Sequence, residues 1–237
     1  VRANVAVNPD STLIPVTRLG GVLLAGVIPS GGRVSGRLSV IRLEGWTWED
    51  MTVEPDAGMA MSWPRTRMPQ RLFDTGRDRG SEDDVAEAMR TLDAFFDAAE
   101  AYAAVDPARE RDERLEAMRP YVAGERPLFI GADDVEQIMD AVSWCAERGY
   151  RCVIVGGRDA ERCADILKKY DVPVILTGVH RFPRRADAAY DEAFNQPARL
   201  AALGVRFAID TSDRDGNIRN LPFEAALARR HGLSEQE

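Results

Sequence analysis

Between Arg126 and Ser212 short apolar runs alternate with stretches of helical periodicity. Pro127-Leu-Phe-Ile-Gly131 is the first run, and over 133–148 Val135, Ile138, Val142 and Cys145 fall on one face of a helix that Gly149 is placed to stop. Arg151-Cys-Val-Ile-Val155 follows, and Gly156-Gly157 opens into a helix over 159–170 with Ala160, Cys163 and Leu167 on one side. Val172-Pro-Val-Ile-Leu-Thr177 is the third run. A loop with Phe182, Tyr190 and Phe194 and a short helix over 197–203 lead to Val205-Arg-Phe-Ala-Ile-Asp210. Strands separated by helices of this length predict parallel βαβ units, whose strand ends deliver side chains to one shared rim. That rim is where such folds place their chemistry.

Upstream the pattern is less regular. Asp10 or Ser11 is placed to cap a helix running through Leu13, Ile14 and Arg18 to Gly20-Gly21. Val22–Ile28 predicts a buried strand, and the glycine-rich stretch from Pro29 to Gly36 predicts a rim loop. A phosphate loop would need Gly-Lys-Ser/Thr and a following helix, and neither is there. Ser39-Val-Ile-Arg-Leu43 alternates, and Trp46 and Trp48 read as strand aromatics packing a core or an edge, with a substrate-stacking platform as the sharper alternative. Ala60-Met-Ser-Trp-Pro64 reads as a further barrel strand. The arginine-rich stretch 65–80 reads as a solvated loop, because aspartates are interspersed. Ser81 is placed to cap a long helix striped by Val85, Met89, Leu92, Phe96 and Ala99, and a charged outer-layer helix is predicted from Asp106 to about Met118. A last helix is expected over 223–230. With no repeat and no linker, the chain reads as a single domain over 1–237.

A chain of 237 residues, 45% hydrophobic and 30% charged, has ordinary globular composition and length enough for one large α/β core. Its net charge of −8 argues against a nucleic-acid partner, since a phosphate backbone calls for a basic surface. No apolar run approaches the roughly 20 residues that span a bilayer, so no membrane partner is expected. Cys145, Cys152 and Cys163 are odd in number, lie in apolar patterns and lack zinc-type spacing. They read as buried free thiols, which points to the cytoplasm. A removed leader is compatible with a chain that begins at Val1.

Few residues are equipped for chemistry. Of the two histidines, His231 ends a charged helix, where it suits the dipole. His180 stands three residues beyond Thr177, near the rim, as a candidate ligand or acid/base group. Asp213 follows the strand ending at Asp210, in a position suited to metal binding or water activation. Asp210 itself reads as part of the strand or bonded to nearby backbone. Asp133 and Asp134 read as helix caps, and Gly156-Gly157 exposes a helix N-terminus.

Several segments together resemble the amidohydrolase superfamily, in particular its imidazolonepropionase-like branch. They are Val7-Asn-Pro-Asp-Ser11, Gly45-Trp-Thr-Trp-Glu-Asp-Met51, Trp63-Pro-Arg65, Val153-Ile-Val-Gly-Gly157, Val172-Pro-Val-Ile-Leu176 and Asn217-Ile-Arg-Asn-Leu-Pro-Phe223. The resemblance implies an α/β, (β/α)8 TIM-type barrel, here incomplete, with the first strand and the terminal β-sandwich missing. It implies hydrolysis of an amide or cyclic-amide C–N bond in a small-molecule substrate by a hydroxide on a divalent metal, zinc above all. Asp213 matches the family's last-strand carboxylate, as metal ligand and catalytic group, and His180, Asn217 and Arg219 are the candidate substrate-binding residues. The family's His-x-His is expected upstream of Val1, and its two middle-strand histidines correspond to Gly131 and Gly156. One ligand alone does not hold a catalytic zinc. The alternative is therefore a non-catalytic barrel that binds a ligand or serves as a scaffold, and a homo-oligomer is compatible with either. A doubly wound nucleotide binder ranks below both, for want of G-x-G-x-x-G.

Overall fold

A computed structural model of the chain describes residues 1–65, 82–105, 111–183, 188–211 and 215–236. Its spine is one curled, seven-stranded sheet whose strands lie side by side in chain order. The first three, β1 (Leu24–Val27), β2 (Val34–Arg42) and β3 (Thr52–Ser62), pair antiparallel. From β3 onward every pairing is parallel, through β4 (Leu128–Ala132), β5 (Cys152–Gly156), β6 (Val174–Thr177) and β7 (Phe207–Asp210). Helices α6 (Val135–Arg148), α7 (Ala164–Lys169) and α8 (Glu192–Ala202) make the crossovers between β4 and β7. A parallel sheet that never reverses its strand order is wound like part of a barrel, and it lacks the switch point of a doubly wound nucleotide-binding sheet. The remaining helices are α1 (Leu13–Leu19), α2 (Trp48–Met51), α3 (Glu82–Ala103), α4 (Glu113–Glu116), α5 (Arg119–Val122) and α9 (Leu221–Arg230). Among the described residues no helix is long and apolar enough to cross a membrane.

The apolar runs form strands because their two faces do different jobs. Leu128, Ile130, Cys152, Ile154, Val174 and Leu176 are buried under the helical layer, against Ile138, Val142, Leu167 and Leu200. Phe129, Val153, Val155 and Ile175 point to the other, concave face and are half-buried. Gly149 stops α6 in the left-handed conformation at φ 72°, as its position predicted.

An aromatic cluster fastens α3 to this layer. The Trp144 ring lies 4.9 Å from Phe96, 5.6 Å from Trp63 and 5.4 Å from Tyr150. Trp144 Nε1 donates to Asp93 Oδ1 at 2.7 Å, the Tyr150 hydroxyl donates to Glu100, and Arg148 pairs with Asp93, Asp97 and Glu100. The polar tips of the buried rings are thereby satisfied by α3.

Four expectations are corrected. The stretch Val22–Ile28 is not a buried strand: β1 is an edge with one neighbour, and Leu24 is 57% exposed. Trp46 and Trp48 are not strand aromatics. Thr47 Oγ1 accepts from the Asp50 N–H and caps α2, which leaves Trp46 93% exposed and makes Trp48 the first helical residue. The capping geometry outweighs the strand propensity of the aromatics. The charged helix is shorter than read: among the described residues it is α4, with no buried residue, and the chain turns into the core at Met118 and Tyr121. The stretch 197–203 is only the second half of a longer α8, with Pro197 inside it. The predicted cap Ser81 lies outside the described residues. Cys145, Cys152 and Cys163 are free and buried, as expected.

Phe96 is fully buried and touches three other aromatic rings. Phe96→Ala is expected to cost about 3–5 kcal/mol in stability, read from the midpoint of denaturant unfolding.

Candidate functional site

A cavity of about 480 Å³ opens at the carboxyl ends of β3 to β6, lined among others by Ser62, Arg65, Gly131, Asp133, Gly156 and Thr177. The strand register explains the assembly. Ser62, Gly131, Val155, Ile175 and Ala208 stand in one row across the sheet, and Thr177 pairs with Asp210 two residues further toward the carboxyl ends. Arg33 joins the lining from the loop before β2, where its carbonyl accepts from the Ser62 N–H at 2.9 Å.

Asp133 is the carboxylate at the centre of this rim, with its side chain only 16% exposed. Its Oδ2 accepts from Arg65 Nη2 at 2.9 Å, and its Oδ1 faces Arg158 Nε at 3.6 Å. Among the described residues neither Oδ1 nor that Nε has a hydrogen-bond partner, although both are buried. The Asp133 carboxylate is therefore held between two guanidinium groups. Gly156 makes room for it: at φ 109° a Cβ there would lie 2.5 Å from Asp133 Oδ1, so both the backbone and the packing call for glycine. Gly131 differs. Among the described residues a Cβ there would meet nothing closer than Met61 O at 3.6 Å, and its missing side chain leaves open space.

Three buried polar side chains tie the rim loops to one another. Gln137 Oε1 accepts from the N–H groups of Asp133 and Asp134, while its Nε2 donates to the carbonyls of Trp63 and Pro64. Gln196 Nε2 donates to the carbonyls of Gly157 and Arg158, and its Oε1 accepts from Arg181 at 2.7 Å. Glu224 Oε2 accepts from the N–H groups of Val179 and His180, each at 2.7 Å. Each joins a helix to one or two strand ends.

Among the described residues, no three His, Cys, Asp or Glu side chains converge as a metal site requires. Asp133, the best-placed carboxylate, is already paired with two cations, a surrounding that disfavours a further cation. The described residues do not fit the divalent metal that the family resemblance implies. Asp213, the expected ligand, lies outside the described residues.

His180 follows β6, as expected, and is exposed. Its ring lies 6.0 Å from Phe194, which in turn lies 5.2 Å from His231. Asn217 and Arg219 stand apart from the cavity lining, in a 3-10 turn, Asp215–Asn220, packed on α1 so closely that a Cβ on Gly20 would meet Arg219 O at 2.8 Å. Asp210 ends β7, and its Oδ1 accepts from the Thr211 N–H at 2.7 Å, the backbone role read for it. Sequence reasoning missed Arg65, Asp133 and Arg158 as a unit. Asp134-x-x-Gln137 has capping-box spacing and was a usable signal for Gln137.

The fold is similar to the crystal structure of an amidohydrolase from Thermotoga maritima MSB8, with a TM-score of 0.82 and 21% identity, covering 100% of this chain and 63% of that one. At that identity the likeness is one of fold, and the chain spans less than two thirds of that structure's length. No protein-family model and no curated protein matches the sequence.

Burial pushes the Asp210 carboxyl above the usual carboxylate range and the nearby Glu224 charge adds to this, while the bond from Thr211 opposes it. The residue keeps an exposed surface, so the effect on stability is damped by solvent. A carboxyl with a raised folded pKa binds its proton more tightly when folded, so stability falls as pH rises through that pKa. Asp210→Asn keeps the acceptor for Thr211 and removes the charge. It is expected to raise Tm at pH 7, with the gain vanishing below the unfolded carboxylate pKa of roughly 3.9, as measured by thermal melts across pH.

Proposed function

We propose that this chain forms the central portion of an amidohydrolase-type (β/α)8 barrel that hydrolyses a C–N bond, amide or cyclic amide, in a small molecule. The observation that carries the reading is the cavity at the carboxyl ends of parallel strands, in a sheet wound like that of a known amidohydrolase. In such a hydrolysis water adds to the carbonyl carbon, the C–N bond breaks and a proton passes to the departing nitrogen. Asp210 is suited to hold that proton. Its pKa is raised by burial, and its register partner Thr177 lines the cavity. Asp213, three residues on, is the group expected to activate water.

A second reading, a non-catalytic ligand-binding barrel, is favoured by one observation: the central carboxylate, Asp133, is neutralised by Arg65 and Arg158. Turnover separates the two readings. Incubation with a set of linear and cyclic amides, followed by mass spectrometry, is expected to show cleavage that drops by about 10²-fold or more in Asp213→Asn. Zinc, iron or manganese bound by the pure protein and lost in the same variant supports the hydrolase. Folded protein that cleaves none of the amides leaves the binding role.

A further inference from the structure

We propose that the rim cavity is an anion site: it takes a small carboxylate, seated over Gly131 and held by the guanidinium groups of Arg33 and Arg65. The inference shares its cavity with the hydrolase reading but rests on charge and space, not on bond cleavage. The cavity is lined by Arg33 and Arg65 and by Asp84 and Asp133, and Arg158 stands behind Asp133. Asp133 is answered by two of those arginines. Arg33 has no carboxylate within ion-pair distance among the described residues, and it is exposed. Arg65 gives one N–H to Asp133 and carries further donors of the same planar fork. A planar carboxylate is an anion whose geometry matches that fork.

The floor supplies the space. A side chain at position 131 would be sterically accommodated, so the glycine leaves vacant a volume that any other residue would occupy. Trp63, Val85 and Val155 add apolar wall, and the Ser62 and Thr177 hydroxyls add neutral polar partners. At about 480 Å³ the cavity falls within the usual size of small-molecule sites. With Asp133 held by two guanidinium groups, Arg33 is, among the described lining residues, the cation left to receive a carboxylate, and a divalent cation beside Asp133 is disfavoured.

N-acetylglycine and its neutral analogue N-acetylglycinamide make the test, titrated into the protein by calorimetry or NMR. The anion is expected to bind saturably, the neutral amide at least roughly tenfold more weakly, and added salt should weaken only the anion. Arg33→Ala should lose a similar factor. Gly131→Leu should abolish binding with Tm little changed; the exposed Arg33 variant decides the matter if the leucine variant does not fold. Equal binding of the two compounds, no saturable binding of the anion, or an unaffected Arg33→Ala overturns the proposal. Amide cleavage with no preference for the anion would discard this site and keep the hydrolase. Anion binding without cleavage would do the reverse.

Discussion

Backbone polar groups at strand ends must find partners once the loops that follow them are buried, and the rim is organised around how they do so. Gln137, Gln196 and Glu224 are each less than a tenth exposed, and each satisfies two or more main-chain groups on neighbouring loops. A glutamine suits the first two positions because it donates and accepts at once, linking carbonyls on one loop to N–H groups or an arginine on another. Glu224 accepts only, and it meets only N–H groups. Removing any one would strand several buried partners together, so these side chains hold the loop positions on which the cavity depends.

The charge at the rim follows from that frame. Once Gln137 fixes the start of α6, Asp133 is directed toward Arg65 on one side and Arg158 on the other. Gly156 gives way to its carboxylate, and Gly131 leaves the floor open. Two glycines one register position apart on adjacent parallel strands thus serve opposite ends, one filled by a neighbour and one empty. At this point of the rim one carboxylate faces two guanidinium groups, unlike a site built to surround a metal ion.

Support for the rim extends into the core. Trp63 lines the cavity and also meets Trp144 in the aromatic cluster, which Asp93, Glu100 and Arg148 fix to α3. The wall of the site and the aromatic cluster of the core share one residue, so stability and site geometry are coupled at Trp63.

The parallel strands, their helices and the rim at their ends were legible from sequence, because apolar periodicity is a local property and each run of 127–177 carries its own face. Gly149 as a helix stop and the buried cysteines were legible for the same reason. Trp46 was misread because capping by Thr47 competes with strand propensity within four residues, and periodicity alone does not weigh the two. Arg65 and Asp133 lie 68 positions apart, and Glu224 lies 44 and 45 from the amides it holds, separations across which no local pattern carries information. Local chemistry determined which segments become strands and helices. The curl of the sheet alone decided which charges meet across its rim, because an ion pair depends on where strands end in space and not on their order along the chain.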